Sequence, residues 1–288
     1  MDYSAMIQNR KSVREFLDTK VPEGILDKIR QYYAGSCKKL VPSIHTELRL
    51  FGCGSREKLE GAAGYHDFLI GAANYFVILS DEADAMLENA GFLAEDLILQ
   101  MTEWRLGSCW LTFEDGEEVK KALAIESDKR VAAIAAFGFE KKSSKRIHLN
   151  VKSMSKIDIA VERGYYSPHL GIDDLVFSGK WGNQAGVYEE IGEMDHPLWQ
   201  AFYAASLSPS YLNRQPYGFV LDGDAVVLIS KSDPYTDEKA QKLNLGIVML
   251  HFAGVAAQMA EKITWTLGTY GKDLGLPPTC KAVATCRL

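Results

Sequence analysis

Two short stretches of this 288-residue chain carry side chains suited to gripping an anion or a polarised ring. The first is Asn9-Arg10-Lys11-Ser12-Val13-Arg14-Glu15-Phe16. In extended chain, Arg10, Ser12 and Arg14 point to one side and Val13 to the other. Two guanidiniums and a hydroxyl on one face bind a phosphate or a polarised carbonyl through charge-assisted hydrogen bonds. Alone, the pattern also describes a solvated basic surface ahead of a helix. The second stretch is Ser208-Pro209-Ser210-Tyr211-Leu212-Asn213-Arg214-Gln215-Pro216-Tyr217. Its prolines and short polar side chains stop a helix and favour a compact loop presenting hydroxyls, amides and backbone N–H groups together. A flat polar ligand requires such a loop, and an ordinary helix-to-strand connection has the same composition.

Between these stretches, Leu106-Gly107-Ser108-Cys109-Trp110 follows a long helical pattern. Gly107 is expected to end that helix in the left-handed region and to expose backbone N–H groups to a neighbour. Cys109 has no histidine near it in sequence and reads as a buried thiol. Tyr65 and His66 fall in a glycine-rich segment and read as partly exposed loop residues. The run Lys141, Lys142, Lys145 and Arg146 reads as a solvated face. No Gly-x-Gly-x-x-Gly loop offers a separate dinucleotide site.

Composition bounds the rest. A net charge of -6 argues against a nucleic-acid partner. Five cysteines without a Cys-x-x-Cys pair make neither a disulfide framework nor a zinc site. Cys280 and Cys286, on one expected strand, would lie about 20 Å apart, too far to bridge. With neither a signal pattern nor an apolar run that spans a bilayer, the expected setting is the reducing cytoplasm, with no membrane partner.

The elements that must position these residues come in two similar sets. In the first half, Pro22 and Glu23 open a helix with Ile25, Leu26 and Ile29 inside. Strands follow at residues 48–51 and 75–79, then a long helix at 83–105 with the stripe Leu93, Leu97, Ile98, Met101 and Trp104. A short helix at 117–124 and a strand at 130–137 complete it. Residues 147–190 read as a crossover without strong periodicity. The second half has a helix at 198–205, strands at 219–221 and 226–229, a long helix, and a strand at 282–286. An offset of 171 pairs Gly52 with Gly223 and Leu48 with Phe219; an offset of 155 pairs Asn89 with Asn244, Gly91 with Gly246 and Trp110 with Trp265. The expectation is an α+β fold, mixed central sheets flanked by helices, in two degenerate halves at 1–146 and 191–288.

The N-terminal stretch resembles the Arg-x-Ser-x-Arg-x-Phe motif of the FMN-dependent nitroreductase superfamily. The 208–217 stretch resembles that family's Pro-Ser-x-x-Asn-x-Gln-Pro-Trp motif with Tyr217 in place of Trp, and Leu106-Gly107-Ser108-Cys109 is similar to its Gly-Leu-Gly-Thr segment. The order departs from the family pattern, since the second motif arrives about two hundred residues late. Ordinary members are homodimers with the flavin at the interface, so the resemblance is to a tandem branch in which one chain forms a pseudo-dimer and can act as a monomer. At the 171 offset, Pro209, Ser210, Asn213 and Gln215 correspond to Lys38, Lys39, Pro42 and Ile44, and Arg10, Ser12 and Arg14 to Trp181, Asn183 and Ala185. Each half has lost what the other keeps.

The resemblance implies that Arg10 and Ser12, within a segment that includes Lys11, hold the FMN phosphate. It places Arg14 near flavin N1 and the C2 carbonyl, and Gly107 and Ser108 N–H groups near N5. Pro209, Ser210, Asn213 and Gln215 come from the other half. Lys142 and Arg146 are substitutes for the family's C-terminal basic pair. NAD(P)H would be the donor, and a nitroaromatic or quinone the acceptor. The alternatives are a flavin-binding or structural protein without turnover, and another flavin reaction such as reductive dehalogenation.

Overall fold

A computed structural model describes residues 2–64, 68–141, 168–257 and 263–288, and the backbone of 146–153 and 156–162. Tyr65, His66, Lys142 and Lys145 lie outside the described residues. The first half runs α1 (Tyr3–Asn9), α2 (Glu23–Gly35), β1 (Thr46–Phe51), α3 (Ser55–Leu59), β2 (Asn74–Ser80), α4 (Met86–Glu103), β3 (Gly107–Leu111), α5 (Gly116–Leu123) and β4 (Arg130–Gly138). Next come β5 (Arg146–Ser153), β6 (Lys156–Glu162), α6 (Ile172–Leu175), β7 (Val176–Ser178) and α7 (Val187–Ile191). The chain closes with α8 (Pro197–Ser206), β8 (Tyr217–Asp222), β9 (Ala225–Lys231), α9 (Glu238–Ala256), β10 (Thr266–Leu267) and β11 (Cys280–Arg287).

One sheet has the order β1-β2-β4-β3 and a second β10-β11-β9-β8-β7, so β8-β9-β11-β10 repeats the first. All pairs are antiparallel except the β7–β8 edge, which makes the second sheet mixed. The repeat extends to a defect. The register skips Ala132 opposite Ile78 and Leu79, and Val283 opposite Leu228 and Ile229, so the same bulge bends both sheets.

The long helices α4 and α9 form the centre. Each is buried on all sides over thirteen residues, Asn89 to Met101 and Asn244 to Ala256, as befits a helix apolar beyond a single stripe. They cross at glycine. A Cβ on Gly91 would lie 2.3 Å from the Leu243 carbonyl oxygen, and one on Gly246 would lie 2.0 Å from the Glu88 carbonyl oxygen. Glu88 and Leu243 are themselves related by the 155 offset, so the contact is reciprocal, as at a two-fold interface. Asn89 Oδ1 accepts from Val41 N (2.9 Å) and Asn244 Oδ1 from Tyr211 N (3.1 Å). The long helices thus pin the loops that follow α2 and α8, each in its own half.

Two expectations need correcting. Residues 147–190 are not featureless: β5 and β6 pair as an antiparallel hairpin, and the alternation of Ile147, Leu149 and Val151 with polar residues had the period of a strand. Gly107 is not a left-handed helix terminator. Arg105 takes that conformation (φ 61°), and Gly107 opens β3, where a Cβ would meet Val13 Cγ2 at 2.7 Å. The glycine serves the close approach of the N-terminal segment.

Candidate functional site

The N-terminal motif lies along β3. Val13 N donates to the Ser108 carbonyl (2.8 Å), and Ser12 and Ser108 form a parallel bridge. Val13 is buried, and Arg10 Nη1 donates to Ser12 Oγ (3.2 Å), the sidedness expected of an extended segment. Arg10, Ser12, Gly107 and Ser108 are therefore neighbours. Arg14 is exposed one step further. Lys11 points away and pairs with Glu140 at the surface (2.7 Å).

Arg10 is buried against Glu95 of α4, with Nε 3.1 Å from Oε1. Trp110 Nε1 donates to Glu95 Oε2 (2.7 Å), and His251 Nε2 of α9 lies 3.2 Å from Oε1. Burial pushes the Glu95 carboxyl up, but Arg10, then His251 and Trp110, outweigh it and hold the group below the usual carboxylate range. Stability from this cluster is therefore complete above the unfolded-state value, about 4.3, and is lost as pH falls through the folded value. Denaturant titrations of the wild type and Glu95→Gln should show their stability gap closing below about pH 4; a gap that stays constant with pH contradicts this assignment. Cys109 behaves as a structural thiol, with burial raising its pKa against the opposing pull of Arg10 and Arg14.

The second motif starts two residues after α8. Leu212, Asn213 and Gln215 all have positive φ (49°, 55° and 46°), a conformation that costs non-glycine residues about 1–2 kcal/mol each. Local bonds hold the strain: Gln215 N donates to Ser210 Oγ (2.9 Å) and Tyr211 N to Asn244 Oδ1. Gln215 Nε2 donates to the Ser206 carbonyl (2.6 Å), and Tyr217 packs fully buried beneath, its hydroxyl accepting from Gln215 Nε2 (3.3 Å). Clusters of strained backbone accompany functional loops. The motif amides also hold a strap, since Asn213 Nδ2 donates to the Pro168 carbonyl (2.6 Å) and Leu170 N to Gln215 Oε1 (2.9 Å). His169 sits on that strap; burial, with the charges of Arg10 and His251, keeps its imidazole below the ordinary range despite a bond to the Ser206 backbone.

The two motifs meet through Glu95 and His251, because His251 Nδ1 lies 3.1 Å from the Ala204 carbonyl in the last turn of α8. Among the described residues, Arg10 Nε and Nη2 and the Ser108 hydroxyl are buried without a hydrogen-bond partner, Nε having only the ion pair with Glu95, an arrangement that a bound polar group completes. A cation, two hydroxyls and a strained polar loop fit the phosphate and ring of a flavin nucleotide. Sequence reasoning missed Glu95, His251 and His169. The first two had one local signal, a charged or titratable residue inside an otherwise apolar helix. Among the described residues no group of His, Cys, Asp and Glu is placed to hold a metal ion, and no helix is long and apolar enough to cross a membrane.

The fold is of the nitroreductase type. The chain belongs to the family whose model is described as "Putative TM nitroreductase", which matches residues 3–168, and flavin-dependent oxidoreduction is the activity that membership suggests. A crystal structure of a "putative nitroreductase" from Thermotoga maritima MSB8 aligns at 18% identity and a TM-score of 0.60, covering 100% of this chain and 94% of that one. An FMN-dependent nitroreductase from Clostridium difficile R20291 aligns at 24% identity, with a TM-score of 0.43, over 48% of this chain and 88% of that one. A nitroreductase family protein from Clostridium novyi NT gives 19%, 0.43, 49% and 86% for the same quantities. No curated protein matches the chain.

Proposed function

We propose that the chain is an FMN-dependent oxidoreductase that takes hydride from NADH or NADPH and delivers reducing equivalents to a small acceptor such as a nitroaromatic or a quinone. The observation that carries this reading is the buried Arg10 guanidinium, held by Glu95 and Ser12, with its Nη2 edge unpartnered next to the Ser12–Ser108 pairing. Bound FMN supplies the hydride-accepting and hydride-donating chemistry. Arg10 and Ser12 hold the phosphate, and Arg14 offers a fixed cation to negative charge developing on the ring. Gly107 and Ser108 border the ring, and Pro209, Ser210, Asn213 and Gln215 line it from the other half. Lys11, engaged with Glu140, is left out of this set.

A single site per chain is supported by what occupies the equivalent place. There Lys38 N and Tyr32 Oη both donate to Asp96 (2.8 Å each), Tyr3 Oη bonds the same carboxylate, and Lys38 Nζ lies 4.2 Å from the Tyr3 ring centre. Lys38 is thereby engaged within its own half. The halves thus act as an internal pseudo-dimer, about the crossover, with a single competent site.

Purified protein should show a flavin absorption spectrum with one FMN per 32.0 kDa chain, retained on dilution to monomer. NADH or NADPH should bleach it, and steady-state kinetics should give the parallel lines of a ping-pong reaction, because donor and acceptor share one ring face. Two equivalent flavins per chain, or loss of flavin whenever a dimer is separated, would refute the single internal site. Bound flavin that neither nucleotide bleaches would leave a binding protein without turnover.

A further inference from the structure

Glu95 and His251 are fully buried, and neither is among the ligand contacts above. Packing does not demand them. At the 155 offset Glu95 corresponds to Leu250 and His251 to Asp96, so a leucine fills the place of Glu95 on the opposite helix. Burying a carboxylate costs several kcal/mol before its partners offset it, so its presence here calls for another role.

The partners indicate that role. Arg10 sets Nε 3.1 Å from Glu95 Oε1 as an ion pair without the alignment of a hydrogen bond and gives Nη1 to Ser12, and among the described residues Nη2 has no partner. Because the guanidinium is planar, the Nη1 bond to Ser12 and the ion pair with Glu95 together fix the direction of Nη2. Glu95 is fixed in turn by His251, whose other nitrogen faces the Ala204 carbonyl. A carboxylate and a carbonyl both accept, so each ring nitrogen faces an acceptor and the ring bridges Glu95 to α8. Among the described residues, His169 on the strap and Arg14, which acts on Cys109 as Arg10 does, also lie around the cluster.

We propose that Glu95 and His251 are positioning residues that aim the Arg10 guanidinium at the phosphate of a flavin nucleotide and tie that aim to the end of α8, from which the second motif springs. The inference rests on the flavin reading above and adds the selection of FMN over the uncharged riboflavin. The two variants separate aim from attraction. Glu95→Gln removes a negative charge from beside Arg10, which alone would strengthen phosphate binding, and sets an amide where the guanidinium and the imidazole meet one carboxylate oxygen, so the aim is lost. His251→Gln leaves Arg10 and Glu95 in place and removes the ring that ties them to α8.

The test is fluorescence titration of the apoprotein with FMN and with riboflavin. The wild type should prefer FMN, and Glu95→Gln and His251→Gln should each cut that preference about tenfold while changing riboflavin affinity far less. A wild type that binds neither flavin overturns the flavin reading itself. A wild type that prefers FMN, with both variants folded and keeping that preference, overturns the relay alone. Should those variants fail to fold, Trp110→Phe decides, since it removes only the donor to Glu95 Oε2: a lowered FMN preference with riboflavin affinity little changed supports the relay, and an unchanged preference overturns it.

Discussion

Arg10→Ala is expected to weaken FMN binding about a hundredfold, the equivalent of about 2–3 kcal/mol for a lost charge-assisted contact. It should also destabilise the fold by about 3 kcal/mol, because Glu95 loses the cation that offsets its burial. Arg14→Ala should behave differently. Arg14 is exposed and outside the buried cluster, so its removal should cost little stability and little affinity. If it faces the ring where charge develops, its loss should lower the flavin reduction potential and slow hydride transfer. Flavin titration, potentiometry and stopped-flow reduction on both variants separate these roles. Equal effects of the two substitutions on affinity and on potential would remove the distinction between phosphate and ring.

Gly246→Ala is expected to destabilise the protein by about 2–3 kcal/mol. Helix propensity alone favours alanine by about 1 kcal/mol. The new methyl would, however, stand 2.0 Å from the Glu88 carbonyl oxygen and 2.8 Å from Phe92 N. Both are backbone atoms of the opposing helix, which cannot turn aside as a side chain would. Overpacking in cores costs about 1–3 kcal/mol, occasionally more, and here only separation of the two helices relieves it. Gly91→Ala should behave alike, its methyl meeting the Leu243 carbonyl at 2.3 Å. Gly24→Ala in α2, where nothing lies within 4 Å, should instead stabilise slightly. Urea denaturation of the three variants checks the pattern; an unchanged midpoint for Gly246→Ala would mean that the helices do not approach as closely as described.

What the sequence could disclose depended on the range of the forces involved. The stripe Leu93, Leu97, Ile98 and Met101 repeats at the helical period, and strands β2, β4, β8 and β9 are continuous apolar runs, so local pattern placed them. The pairing of Gly91 with Gly246 was readable as an offset, and the structure gives it a cause in the reciprocal backbone contact. Helix α1 was missed because seven residues carry less than two full repeats of any amphipathic pattern. The β5–β6 hairpin was readable but was passed over among glycines and aromatics that suggested loop. Within the candidate site, the motifs were visible as residue types and their neighbours were not. Glu95 meets His251 across 156 residues, and nothing local distinguishes a buried charge that finds such a partner from one that turns to solvent. Gly107 shows the converse: its identity was noticed and its reason misread, because the demand comes from Val13, far back in the chain.

The reciprocal glycine contact has a consequence for assembly. In a two-chain protein, bringing such helices together is a second-order event that slows as the protein is diluted. Here Gly91 and Gly246 are joined by a covalent tether, so each helix meets its counterpart at an effective concentration set by the intervening chain. Closing so long a loop adds only slowly growing entropy, yet it leaves the central contact among the most non-local in the molecule, the kind that forms late. Folding then becomes two locally closed sheets followed by a first-order docking of α4 onto α9. That docking also completes the proposed flavin site, because Arg10 and the loop after α8 belong to different halves.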